Sequence, residues 1–199
     1  MGLFSFIQTF NDKHNAKYSR TAPFAKTPIR STSGSAGYDM SVCMEADPEL
    51  SKSPFSSMEM KQISIFDGSP YLQKDGYLHK DGYIKCSDGI ILMPGKTVKI
   101  HTGIKMEIPK GYCGLLMNRS SLANNSRLTL CDNVGLIDSD YRGEITLKLH
   151  NGSDYIHFIM NSERVCQIVF IKYSEFTFNA VISLNETSRG EGGYGSTGR

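Results

Sequence analysis

Hydrophobicity that alternates with a period of two dominates the second half of this chain and narrows its fold more than any other feature. Val98, Ile100, Ile104, Met106 and Ile108 are interleaved with Thr97, Lys99, His101, Lys105 and Glu107. Successive side chains of a strand point to opposite faces, so this is a strand with one face buried. Pro109-Lys110-Gly111 is a turn signal, and Tyr112–Met117 is the returning strand. Ile145, Leu147 and Leu149 alternate with Glu144, Thr146, Lys148 and His150. Val165–Ile171 reads as a fully buried strand around Gln167, and Phe176, Phe178, Ala180 and Ile182 alternate once more. Short strands with turns every ten or so residues predict an all-β sandwich or barrel.

A length of 199 residues suits one domain, and an apolar share of 39% with 21% charged residues is that of a globular chain, not a disordered one. No apolar run approaches the ~18 residues of a membrane-spanning helix, so no membrane contact is expected. The net charge of +2 is too small to imply nucleic-acid binding. It is unevenly spread: residues 1–30 hold five Lys and Arg against one Asp, and the other 169 hold 17 basic and 19 acidic residues. Residues 1–26 therefore read as a basic, solvated N-terminal arm, and any affinity for phosphate must come from a focused site. Leu3, Phe6, Ile7 and Phe10 fall at helical spacing within it, but a frayed terminus is the ordinary reading. The start lacks the basic residues and cleavage site of a signal peptide.

The five cysteines are widely spaced with no CxxC, which argues against a disulfide framework or a zinc knuckle and for a reducing compartment. That compartment is expected to be the cytoplasm, with a nuclear location left open. None of the five histidines stands at metal-ligand spacing, and His101 and His150, on polar faces of strands, are expected at the surface. Residues 44–89 break the strand rhythm with Pro48, Pro54, Pro70 and four Asp-Gly pairs, and read as a hairpin-rich insertion.

Four clusters carry chemistry. NVGLIDSDYRGE (133–144) sets Asp138 and Asp140 beside Tyr141. A carboxylate next to a phosphate site can orient and deprotonate water, although an Asx turn at a hairpin tip explains the same residues. NRSSLA (118–123) follows a strand, and Arg119, the hydroxyl of Ser120 and the following amides suit phosphate oxygens. SERVCQIVF (162–170) holds Gln167, a polar side chain that needs a partner if buried, with Arg164 at the strand's mouth. The final RGEGGYGSTGR (189–199) satisfies GxGxxG formally, but no helix and second strand can follow it, so a dinucleotide fold is excluded. Its amides, hydroxyls and arginines suit phosphates, and Tyr194 suits a base.

With AGYDM (36–40), these clusters form five short motifs whose identity and order resemble the trimeric dUTPase family, over 27–42 and 90–199. The resemblance implies a distorted jelly-roll β-sandwich or barrel assembled as a homotrimer with three shared sites. It also implies hydrolysis of dUTP to dUMP and pyrophosphate with Mg²⁺, supplying dUMP for thymidylate synthesis and keeping uracil out of DNA. By the same resemblance Asp138 matches the carboxylate that activates water. Tyr141 matches the ring that packs on deoxyribose and leaves no room for a 2′-hydroxyl. Asn133 and Gly135 belong to the hairpin that reads uracil, and Arg119, Ser120, Ser121 and Gln167 match phosphate contacts. Arg189, Tyr194, Gly195, Ser196 and Thr197 match a tail that closes over the nucleotide, and Asp39 matches a carboxylate near the metal, acting through water. Ser121 stands where the family usually has Gly, Asn118 where it has Pro and Tyr194 where it has Phe. The expected organisation is an arm at 1–26, a β domain at 27–188 interrupted by the insertion 44–89, and a Gly-rich lid at 189–199. Two other functions share these features: a dCTP deaminase of the same fold, and a regulatory binding protein that uses the insertion.

Overall fold

A computed structural model describes residues 14–48, 82–86 and 88–193. Eleven strands are present among them: β1 (Lys17–Arg20), β2 (Tyr38–Ser41), β3 (Tyr83–Cys86), β4 (Gly89–Leu92), β5 (Thr97–Glu107), β6 (Tyr112–Asn118), β7 (Leu128–Leu130), β8 (Val134–Ile137), β9 (Glu144–Asn151), β10 (His157–Met160) and β11 (Arg164–Lys172). The helix α1 (Ser120–Ser126) is one short interruption, and a 3-10 turn spans Met44–Ala46. Strand order is β1-β5-β9-β7 in one four-stranded sheet, β2-β11-β6-β8 in a second, and β10-β4-β3 in a third. Every strand pairing within these sheets is antiparallel.

The alternation read from the sequence is the alternation of burial. Val98, Ile100, Ile104, Met106, Ile145, Leu147 and Leu149 point inward from β5 and β9, meeting Met40, Leu116 and Ile168 of the second sheet and Ile90, Leu92 and Ile159 of the third. One apolar cluster thus unites all three sheets. β5 and β9 fall out of register between His101 and Lys105, where four steps on β5 oppose two on β9. Gly103 takes φ +69° in this bulge, and a Cβ there would lie 2.6 Å from the Cβ of Ala25. Only glycine meets both demands.

Several expectations change. The arm expected over 1–26 is, from Lys17 onward, part of the body: β1 pairs with β5, and Ala22 and Ala25 are buried. The backbone donors of an exposed edge were available to it, and a charge count does not register that. The insertion is narrower than 44–89. Met44, Tyr83 and Ile84 are core residues and β3 is a sheet strand, so both ends of the expected insertion belong to the body; residues 49–81 fall outside the described ones. The two ends of that stretch are pinned by Lys85 Nζ and Asp47 Oδ2 at 2.6 Å, both side chains buried. The strand expected over Phe176–Ile182 is absent: after β11 the chain runs on without regular structure, and Phe178 and Ile182 are fully exposed.

Candidate active site

Three of the motifs meet at one end of the second sheet. β2 pairs with β11 so that Asp39 lies opposite Gln167, and β6 pairs with the other side of β11, bringing Asn118 and Arg119 alongside. Asp39 is 8% exposed and its carboxylate accepts three hydrogen bonds. Oδ1 accepts from Arg119 Nε at 2.9 Å; Oδ2 accepts from Arg164 Nη1 at 2.9 Å and from Ser31 Oγ at 2.9 Å. Arg119 also donates to the carbonyl of Arg164 at 2.8 Å. Two guanidinium groups are thereby fixed around one buried carboxylate, and their remaining N–H groups form a fork suited to an oxyanion. Gln167 donates from Nε2 to the carbonyl of Asn118 at 3.0 Å. The side chain of Asn118 accepts the Leu130 N–H at 2.6 Å, which ties this corner to the strand leading toward the hairpin. Ser120 and Ser121 open α1 and are exposed, with Arg119 as its N-cap.

The chain between β7 and β9 switches sheets twice. β7 belongs to the first sheet, β8 to the second and β9 to the first again. Asn133, at φ 57°, makes the first turn, in a left-handed conformation that asparagine tolerates. Gly135 pairs with Leu116, and Ile137 pairs with Gly114. Asp138 therefore leaves β8 at the far end of β6 from Arg119, about 15–20 Å away at ~3.4 Å per residue. Asp138 and Asp140 are exposed and line an open cleft of about 660 Å³ with Glu107, Lys110, Arg142 and Tyr173. Tyr141 is 44% exposed and donates from its hydroxyl to the carbonyl of Glu144 at 3.0 Å. The larger cavity, about 730 Å³, lies by Tyr38, Tyr112 and Phe170 and holds none of the expected site residues.

One chain thus separates the expected residues into two groups, Asp39, Arg119 and Gln167 against Asp138 and Tyr141. Arg189 stands exposed and donates to the carbonyl of Gly192 at 2.8 Å. Tyr194, Gly195, Ser196 and Thr197 lie outside the described residues. Asp39, expected near the metal through water, accepts here from two guanidinium groups and a hydroxyl, which leaves an acceptor site on Oδ1. Among the described residues no three His, Cys, Asp or Glu side chains gather as a metal site. The donors present fit a hard cation that arrives on phosphate oxygens better than one caged by the protein. Sequence reasoning missed Ser31, Lys110, Arg142 and the role of Arg164. A serine eight residues before a carboxylate, or a lysine in a turn, carries no spacing signal. His101, expected at the surface, is 9% exposed and faces Glu144.

The dUTPase family model matches residues 82–198. The chain is 45% identical over 108 residues to the deoxyuridine 5′-triphosphate nucleotidohydrolase of Escherichia phage T5, covering 54% of this chain and 72% of that protein. It is 35% identical over 144 residues to the enzyme of the same name from Bdellovibrio bacteriovorus, covering 72% of this chain and 97% of the relative. Among solved structures, the dUTPase of Staphylococcus bacteriophage 80alpha with dUPNHPP superposes with a TM-score of 0.65 at 20% identity, covering 93% of this chain and 99% of that one. The dUTPase of S. aureus phage phi11, whose structure visualises a species-specific insert, superposes at 0.59 with 16% identity over 87% of this chain and 99% of its own.

Proposed function

The chain belongs to the dUTPase family, and from that premise we propose how its residues hydrolyse dUTP to dUMP and pyrophosphate. Asp138 takes the proton of a water whose oxygen bonds to phosphorus, the P–O bond between the α- and β-phosphates breaks, and pyrophosphate leaves with the electron pair. A carboxylate in this role is worth about 10²–10⁴-fold. Arg119 and Arg164, held by Asp39, face the triphosphate with Ser120, Ser121 and Gln167, and do so without reorganising as charge builds up. Tyr141 packs against the sugar, and the turn through Asn133 and Gly135 reads the base. A Mg²⁺ held by the phosphate oxygens would supply neutralisation of part of the triphosphate's charge. Arg189 and the tail beyond it, through Tyr194, Gly195, Ser196 and Thr197, close over the nucleotide and exclude water.

The observation that carries this reading is the division of the site residues between the two ends of β6. A single chain presents half a site at each end, and a closed ring of three copies completes each half with a neighbour's other half. The outward face of the second sheet supports assembly: Met117, Val134, Leu136 and Ile171 are exposed there in a run of apolar surface. Mixed oligomers provide the test. Asp138→Asn and Gln167→Ala are each expected to release little pyrophosphate from dUTP. Co-refolded at equal amounts they should regain about a quarter of normal activity, since random assembly pairs two intact halves at that frequency. Absence of any recovery would mean that each chain holds a whole site. Preference for dCTP over dUTP in the same assay would overturn the substrate.

A further inference from the structure

Glu144 is the first residue of β9 and the first beyond the loop that carries Asp138 and Tyr141. Its carboxylate is half of a partly buried pair. Oε1 accepts the Gly103 N–H at 2.8 Å, and Oε2 accepts from His101 Nδ1 at 3.1 Å. A carboxylate only accepts, so the ring carries its proton on Nδ1. Both donors come from the bulge in β5, where Thr102 Oγ1 also donates to the carbonyl of Ile145 at 2.6 Å. The bulge is itself tethered: Thr21 N–H donates to the Gly103 carbonyl and Cys43 N–H to the His101 carbonyl, each at 2.8 Å. On its other side the Glu144 backbone carbonyl receives the Tyr141 hydroxyl at 3.0 Å. The Tyr141 ring lies so close over Gly143 that a Cβ there would collide with it.

These contacts link the core bulge, through Glu144, to an exposed aromatic ring. An exposed tyrosine on a six-residue connection would otherwise sample several rotamers, at an entropic cost repaid on each binding event. We propose that His101 is a positioning residue: with Gly103 it locks Glu144, and Glu144 holds the Tyr141 ring where it discriminates deoxyribose from ribose. Gly143 is the space the ring requires. This deepens the reading of Tyr141 as the sugar platform and rests on it.

The experiment measures kcat/KM for pyrophosphate release from dUTP and from UTP, using the full-length assembled protein. His101→Phe keeps the ring volume and removes the donor. It should lower the dUTP-to-UTP ratio about tenfold, since a misplacement of ~1 Å at a positioned group costs up to 10²-fold. His101→Asn, whose amide N–H reaches where Nδ1 stands, should restore the ratio to within about threefold of normal. Tyr141→Phe breaks the link from the exposed side, leaves the core untouched, and should lower the ratio as well. This keeps the proposal testable if His101→Phe folds poorly. Equal loss of both rates, or a lower melting temperature with an unchanged ratio, would reduce His101 to a structural residue and overturn the proposal. Tyr141→Ala separates the two levels. A ratio that collapses in Tyr141→Ala but not in His101→Phe or Tyr141→Phe overturns the clamp alone. A ratio indifferent to Tyr141→Ala overturns the sugar platform and the clamp with it.

Discussion

A carboxylate that binds two guanidinium groups behaves differently from one that binds a metal, and Asp39 is the residue where this matters. Its oxygens hold Arg119, Arg164 and Ser31. Asp39→Asn keeps the shape but weakens two charge-assisted bonds, so both arginines lose their fixed direction. Turnover of dUTP should fall about tenfold or more, in keeping with the value of oriented cations at phosphoryl groups. The Mg²⁺ concentration for half-maximal rate should stay where it was. A large rise in that concentration would show Asp39 acting on the metal instead. His157 gives a second test at the same scale. Burial lowers its pKa below the ordinary 6.5, against weaker opposing contributions from Ser126 and Glu163, and its Nε2 lies 3.2 Å from Ser153 Oγ. The folded state keeps this ring neutral while the unfolded chain takes up a proton first as pH falls. The stability it contributes is complete above about pH 6.5 and is lost as pH falls toward the depressed folded value. Wild-type protein should therefore lose melting temperature between pH 7.5 and 5.5 more steeply than His157→Gln. Parallel slopes for the two proteins would remove His157 from the pH response.

Among the elements, β5, β6, β9 and β11 were legible because each is long enough for alternation to repeat and each buries one face on a common core. β7 and β8, of three and four residues, were not, since two alternating side chains make no pattern. The apolar alternation of Phe176, Phe178, Ala180 and Ile182 is real, yet it forms no strand, because a pattern specifies a face and says nothing of a partner for the backbone. The site followed the same division. Asp39, Arg119, Gln167 and Asp138 stood out through motif order, whereas the Asp39–Arg164 and His101–Glu144 pairs join residues 125 and 43 positions apart and left no local trace. The boundaries of the insertion can be tested by deletion. Replacing 49–81 with a short Gly-Ser linker should leave a folded enzyme that still hydrolyses dUTP, because Asp47 and Lys85 already touch. Removing 44–89 should prevent folding, since it strips Met44, Tyr83 and Ile84 from the interior and the loss of one large core side chain alone costs about 2–5 kcal/mol. A soluble, active product from the longer deletion would show that β3 is dispensable.

For the whole molecule, the chain beyond β11 is the part that one copy cannot satisfy. Residues 173–191 are all exposed, and Phe176, Phe178, Val181, Ile182 and Leu184 among them stay largely in solvent. Apolar side chains in that number belong against another surface. Two truncations should separate its parts. Ending the chain at Arg189 should abolish most turnover and change the melting temperature by only a few degrees. Ending it at Lys172 should also shift the sedimentation coefficient toward that of a single chain. Unchanged sedimentation of the shorter protein would assign assembly to the sheet faces alone. The joined ends at Asp47 and Lys85 have a further consequence at this scale. Closing a loop costs entropy that grows only with the logarithm of its length, about 0.6 kcal/mol for each doubling. A body whose loop ends are already held together by a buried ion pair is therefore almost indifferent to how many residues run between them. That position is a socket: the catalytic body can carry a segment of another length, or another small domain, without renegotiating its own fold.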